Sequence, residues 1–336
     1  MKLLSSLRSL KPYRTYSSFA SIIEKQNRLF TGELERQRND IGRIEKIEVS
    51  YEGRPENKTI IMNKFLSSPY DATRHIAEWL SQQGALAQVD DTYIWDMHRP
   101  LEGSCRLKIL TVTDPDPHHV NKAFWKSCSF FLGAVISQSF ADNVQVTLHS
   151  FPSPQITSGS FLYDARLSLA DWQPTPNELR VLSAEMVKLA NRALPLERLA
   201  VSADFAKIIF ENNEFKSQQI PDIAGNSADG KITLYRVGNH IDISKGPLIG
   251  DTSFLGRCSI TAVHKIESED GPLFRFQGVA LPKGLMMNHF AYRILEERAS
   301  KPFGFQKLQL MIRNVPGDDS EIVIRKVARS LRKIRS

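Results

Sequence analysis

The chain has 336 residues, 41% of them hydrophobic and 24% charged, the balance of a water-soluble protein with cores large enough for two ordinary domains. No apolar run approaches the roughly 18 residues that a helical membrane span needs. Three scattered cysteines, Cys105, Cys128 and Cys258, form no C-x-x-C pair, which argues against a disulfide framework or a cysteine zinc site and fits a reducing compartment.

The net charge of +7 sits at the two ends, with a slightly acidic stretch between them. Residues 1–16 hold Lys2, Arg8, Lys11 and Arg14 without an acid, and Leu3, Leu4, Leu7 and Leu10 make one apolar face. Acid depletion combined with amphipathicity predicts a mitochondrial presequence, with processing after Arg14-Thr15-Tyr16, near Ser17. Residues 17–43 read as a polar helix with few apolar positions, expected to lie on a partner or hang free.

A compact unit is expected next. Residues 44–51 and 59–63 alternate as strands, and 69–83 predicts an amphipathic helix with Ala72, Ile76, Trp79 and Leu80 inward. Residues 85–89, 93–95 and 106–112 add short strands. Asp114-Pro115-Asp116-Pro117 is a rigid link, and His118-His119 after it is read as a helix-start cap and not a ligand set.

An apolar helical run follows from 118 to 140, in which Phe124, Cys128, Phe131 and Val135 recur at spacings of three and four. Strands are expected at 144–151 and 160–168, then a helix at 175–192 opened by a Thr-Pro-x-Glu cap. A strand at 196–201 leads to a helix over 202–213 that runs into Glu214-Phe215-Lys216. Short strands at 231–237 and 241–243 precede a Lys245-Gly246-Pro247 turn, and 257–266 with 273–281 form a hairpin. Residues 284–300 read as a strongly apolar helix, with Met286-Met287 expected in the core. The order predicts an α+β fold with an antiparallel sheet covered on one side.

Four segments carry a family resemblance. Lys126-Ser127-Cys128-Ser129-Phe130-Phe131-Leu132-Gly133 aligns with H-S-x-A-H-x-L-G, and Asn213-Glu214-Phe215-Lys216 with N-x-[YF]-K. Residues 242–248 align with D-x-C-x-G-P-H, and Arg275-Phe276-Gln277-Gly278-Val279-Ala280 with R-x-x-G-x-A. Together they resemble the editing domain of class II threonyl- and alanyl-tRNA synthetases. Upstream, Ala87-Gln88-Val89-Asp90, Trp95-Asp96 and Pro100-Leu101 resemble the ubiquitin-like β-grasp, or TGS, domain of threonyl-tRNA synthetases. The resemblance covers roughly residues 44–300. It implies a TGS-like unit at 44–113, an editing-like α+β domain at 118–302 and a basic tail at 303–336.

The departures decide the expected function. Where the family places two helix histidines, a cysteine and a last histidine, this chain has Lys126, Phe130, Ser244 and Leu248. Phenylalanine and leucine offer no donor or acceptor, and a charged lysine cannot ligate, so no catalytic residue, metal site or cofactor is expected. Asp242 and Lys216 persist at family positions and are read as strand-end or surface charges. With about 36 residues after the matching region, the several hundred residues that would activate an amino acid are not expected in this chain. It resembles the truncated, disarmed synthetase relatives of the mitochondrial large ribosomal subunit.

That resemblance implies a non-catalytic structural protein of the matrix whose partners are mitochondrial rRNA and neighbouring ribosomal proteins, with no small-molecule substrate. The alternatives are a free-standing trans-editing hydrolase of mischarged tRNA and an RNA-binding protein off the ribosome. For residues 320–336 an amphipathic helix is expected, with Ile322, Val327, Leu331 and Ile334 as its stripe. Arg325, Lys326, Arg329, Arg332, Lys333 and Arg335 are its candidate RNA contacts, because neutralising phosphates releases condensed counterions.

Overall fold

In the computed structural model, which describes residues 16–152, 160–169 and 171–302, the chain enters on a helix that docks against residues far along the sequence. This helix, α1 (Tyr16–Asn39), buries Phe30 among Leu199, Ile232 and Leu234. Arg236 covers the Phe30 ring at 4.4 Å and donates to Thr31 Oγ1 at 2.7 Å. Asn27 and Gln37 donate to the carbonyls of Asn239 and Ala200, each at 2.9 Å. Residues 17–43 therefore do not hang free. Their apolar content is low because polar side chains, bonded to backbone carbonyls, make much of the contact. The proposed presequence lies outside the described residues except for Tyr16.

Alternation shapes the first sheet. In β1 (Lys46–Tyr51), Ile47, Val49 and Tyr51 are buried while Lys46 and Glu48 are exposed. It pairs antiparallel with β2 (Lys58–Asn63). Ser68 and Asp71 form a reciprocal cap, with Pro69 at the first position of α2 (Pro69–Ile76). Ala77 then leaves the helical conformation at φ −160°, and α3 (Glu78–Gln83) begins. The single helix expected over 69–83 is thus two. Ala72 and Leu80 stay buried, but Trp79 is turned to the surface. The strands β3 (Leu86–Val89), β4 (Tyr93–Trp95) and β5 (Cys105–Leu110) complete a sheet of order β2-β1-β5-β3-β4, in which only β1 and β5 run parallel.

The helix α4 (His118–Ile136) is the axis of the rest. From Ser127 to Ile136 every residue is buried, so no face of this stretch is left for water. Its start is capped from Asp116, whose carboxylate accepts from the His118 amide at 3.2 Å, and the two histidines stack edge to face. Strands β6 (Val146–Ser150) and β7 (Phe161–Leu167) follow, then α5 (Pro176–Asn191), opened by the Thr175–Glu178 capping box. After β8 (Glu197–Val201) the chain makes α6 (Ala203–Ile209) and α7 (Glu214–Gly225) where one run into Lys216 was expected. Ser202 caps the first, and Asn213, between them, caps the second. Strands β9 (Ile232–Val237) and β10 (His240–Ile243) give a three-stranded antiparallel sheet of order β10-β9-β8.

The long hairpin β11 (Leu255–Ser268) and β12 (Gly271–Pro282) joins β7 and β6 in a second antiparallel sheet of order β11-β12-β7-β6. The fold is α+β with antiparallel pairing dominant. It holds two antiparallel sheets, however, and β12 is covered on both faces. Phe274 and Phe276 join the core that includes α4 and α5, while Gln277 and Val279 meet α8 (His289–Ala299). That helix is shorter than expected and docks through Tyr292 and Ala299. Leu285, Met286, Met287, Phe290 and Ile294 are exposed, so the two methionines are not core.

Candidate functional site

The loop after β10 is clamped from two sides. From α4, Lys126 Nζ donates to the Gly246 carbonyl at 2.7 Å, and Ser127 Oγ accepts from the Ile249 amide at 3.0 Å. From the first unit, Asp96 Oδ1 accepts from the Leu248 amide and from the Tyr235 hydroxyl, both at 2.8 Å. Arg198 Nε lies 3.7 Å from the same carboxylate. Gly246 sits at φ +64°, and a Cβ there would stand 2.0 Å from the Tyr235 hydroxyl, so the turn accepts only glycine.

The four positions read from the sequence as degenerate, Lys126, Phe130, Ser244 and Leu248, lie on or beside this loop. Phe130 is fully buried, edge-on to the rings of Phe131, Phe151, Tyr235 and His240. Leu248 is buried in the same core. Ser244 Oγ accepts from the Gly246 amide at 3.3 Å and serves the turn. Burial pulls the Lys126 ammonium below its usual range, with Lys122 and Lys245 acting in the same direction and Asp96 against it.

Asp242 and Lys216 are not surface charges. Lys216 Nζ lies 2.5 Å from Asp242 Oδ1, and both side chains are almost completely buried. Tyr163 donates its hydroxyl to Asp242 Oδ2 at 2.5 Å, and the Ile243 amide donates to Oδ1 at 2.7 Å. The carboxylate is therefore fully engaged, as a buried charge must be. Burial, reinforced by Asp242, pushes the Tyr163 phenol far above its ordinary range. Gly133 makes room for that ring, since a Cβ at 133 would lie 2.5 Å from Tyr163 Cε2. Beside the trio, His240 Nε2 is buried with no hydrogen-bond partner among the described residues. Burial, with the Lys216 charge, holds its pKa down to about 4 against the pull of Asp242.

No nucleophile is poised here. Ser127 and Ser129 bond backbone groups, at Ala123 and Leu162 respectively. The Cys128 thiol is pushed far up by burial and that of Cys258 to about 12, so both are neutral. Among the described residues no group of three His, Cys, Asp or Glu side chains is placed to hold a metal. Sequence reasoning missed Tyr163, Tyr235, Arg198 and His240. Asp96 lay in a quoted segment, but nothing in one dimension shows that it reaches β9. The six tail cations lie outside the described residues.

An α+β body with synthetase-like segments around a filled pocket is similar to part of the threonine–tRNA ligases, and comparison with known proteins extends that likeness. No protein-family model matches the chain. The mitochondrial threonine–tRNA ligase 1 of Arabidopsis thaliana is 31% identical over 242 residues, covering 70% of this chain but 32% of that enzyme. A probable cytoplasmic threonine–tRNA ligase of Dictyostelium discoideum is 26% identical over the same shares. The large ribosomal subunit protein mL39 of Drosophila melanogaster is 48% identical over 302 residues, 88% of this chain and 90% of that protein. The chain belongs to the mL39 family of large ribosomal subunit proteins.

Proposed function

We propose that this chain is a non-catalytic structural component of the mitochondrial large ribosomal subunit, acting in the matrix through contacts to rRNA and neighbouring ribosomal proteins. The observation that carries the non-catalytic part is the fully buried Phe130 ring, which occupies the place of a site histidine and closes the pocket with hydrocarbon. The family relationship supports the ribosomal part. The first unit is a TGS-like β-grasp at 44–113. The strand order β2-β1-β5-β3-β4, with parallel central strands, supports that reading. Residues 118–302 are the disarmed editing-like domain, with Lys126, Phe130, Ser244 and Leu248 its degenerate positions. Residues 1–16 are the presequence and 303–336 the RNA-contacting tail.

Sedimentation of mitochondrial lysate through a high-salt gradient tests this. The endogenous protein is expected with the large subunit. Recovery at the top of the gradient as a free protein would refute the structural role.

A further inference from the structure

The exposed apolar surface before and along α8 is the least explained part of the body. Met286 is 96% exposed, Phe290 74% and Ile294 50%, with Leu285 and Met287 beside them in sequence. Phe290 and Ile294 are four residues apart and so share one face of the helix. The opposite face is already committed. Tyr292 donates to the Val279 carbonyl, and Gln277 donates to the Ala299 and Lys301 carbonyls, which pins α8 and its exit to β12. Large apolar side chains left exposed together on one helix face and the turn before it mark an interaction site.

The sequence beyond the described residues carries a matching apolar pattern. The last described residue, Pro302, lies three positions beyond the end of α8, and residues 303–336 continue from it. On a helical repeat Ile322 falls among the cations. Val323, Val327, Leu331 and Ile334 align instead at spacings of four, four and three, and Arg325, Lys326, Arg329, Arg332 and Lys333 take the opposite side. A stripe of that length needs an apolar partner to hold its helix. The body offers such a surface before and along the helix from whose far end the segment leaves, and tethering raises the local concentration to the order of millimolar.

We infer that residues 320–336 fold back in cis onto the exposed face formed by Leu285, Met286, Met287, Phe290 and Ile294, so that the cations point outward as one basic ridge. This rests on the reading of the tail as an RNA contact. It adds that the ridge is built on the body before RNA arrives.

The test uses the purified full chain without RNA. A benzophenone amino acid at position 290, and separately at 286, is irradiated in a mixture of isotopically light and heavy protein. Intrachain adducts to residues 320–336 are expected, and Leu331→Asp should lower their yield about tenfold by removing the central apolar contact. Hydrogen exchange in α8 should quicken by a similar factor when 323–336 are deleted. Adducts only between light and heavy chains would assign the face to a second copy. Absence of adducts together with unchanged α8 exchange would leave it to another protein. Either result overturns the inference, while the salt dependence of RNA binding, measured separately, still judges the tail as an RNA contact.

Discussion

Asp96 and Tyr235 are 139 residues apart in sequence, and the Tyr235 hydroxyl donates to the Asp96 carboxylate at 2.8 Å inside the body. The bond ties the end of the first sheet to the middle of the three-stranded one. Because the same oxygen holds the Leu248 amide, it also fixes the loop that shapes the filled pocket. Asp96→Ala should leave two buried donors unpaired and cost about 2–6 kcal/mol, at roughly 1–3 kcal/mol for each orphaned group. Asp96→Asn should fall between. Urea denaturation of both variants checks this, and a loss near zero for Asp96→Ala would mean that water replaces the carboxylate.

Phe130→His puts back the residue type that the synthetase motif carries, yet it should not restore chemistry. The ring is packed among Phe131, Phe151, Tyr235 and His240, and the one base among them, His240, is fully buried with its pKa held down to about 4, which makes it a weak one. The new buried imidazole nitrogens would also lack partners. A loss of about 2–4 kcal/mol is expected from packing and desolvation together. Assays with mischarged threonine- and alanine-acceptor tRNA should show background hydrolysis for parent and variant alike. Enzymatic turnover in the variant would reveal a latent site.

His240 makes stability depend on pH. Its pKa is about 4 in the folded chain against an ordinary 6.5, so below pH 6.5 the unfolded chain binds a proton that the folded chain does not. Stability is therefore complete above about 6.5 and falls as pH drops toward 4, by roughly 3 kcal/mol over the window. His240→Leu should flatten this part of the curve. Unfolding free energies measured from pH 7 to pH 4 decide the matter, and parallel curves for parent and variant would assign the slope to other groups.

Gly133→Ala reverses a general rule. In an exposed helix the change gains about 1 kcal/mol. Here the new methyl group would stand 2.5 Å from Tyr163 Cε2 and push the ring that bonds Asp242. Overpacking of that kind should cost about 1–3 kcal/mol. A rise in melting temperature would show that Tyr163 moves without loss and that its bond to Asp242 is dispensable.

Deletion of 323–336 should weaken binding to large-subunit rRNA and leave the fold intact. With six cations lost, the slope of log affinity against log salt should become shallower by up to about 5. Circular dichroism monitors the fold and filter binding across a salt series monitors the slope. An unchanged slope would move the contact elsewhere.

The sequence by itself determined most of the local structure and the residue types on which the proposed loss of the site rests. Ser68, Thr175 and Asn213 mark helix starts with their own side chains, and the alternation of β1 is readable because strand period and burial coincide. That Phe130 and Leu248 stand where the resemblance implies histidines is a reading of residue types, which sequence carries in full. Only tertiary structure decided where charges end up. Asp242 and Lys216 read as surface residues because most such residues are, and their burial depends on a tyrosine from another sheet standing over a glycine of α4. Docking of α1 was hidden because hydrogen bonds to distant carbonyls leave no periodic trace. Exposure of Met286 and Phe290 was hidden for the converse reason: hydrophobicity says that a side chain gains from a neighbour, and not which neighbour the fold supplies.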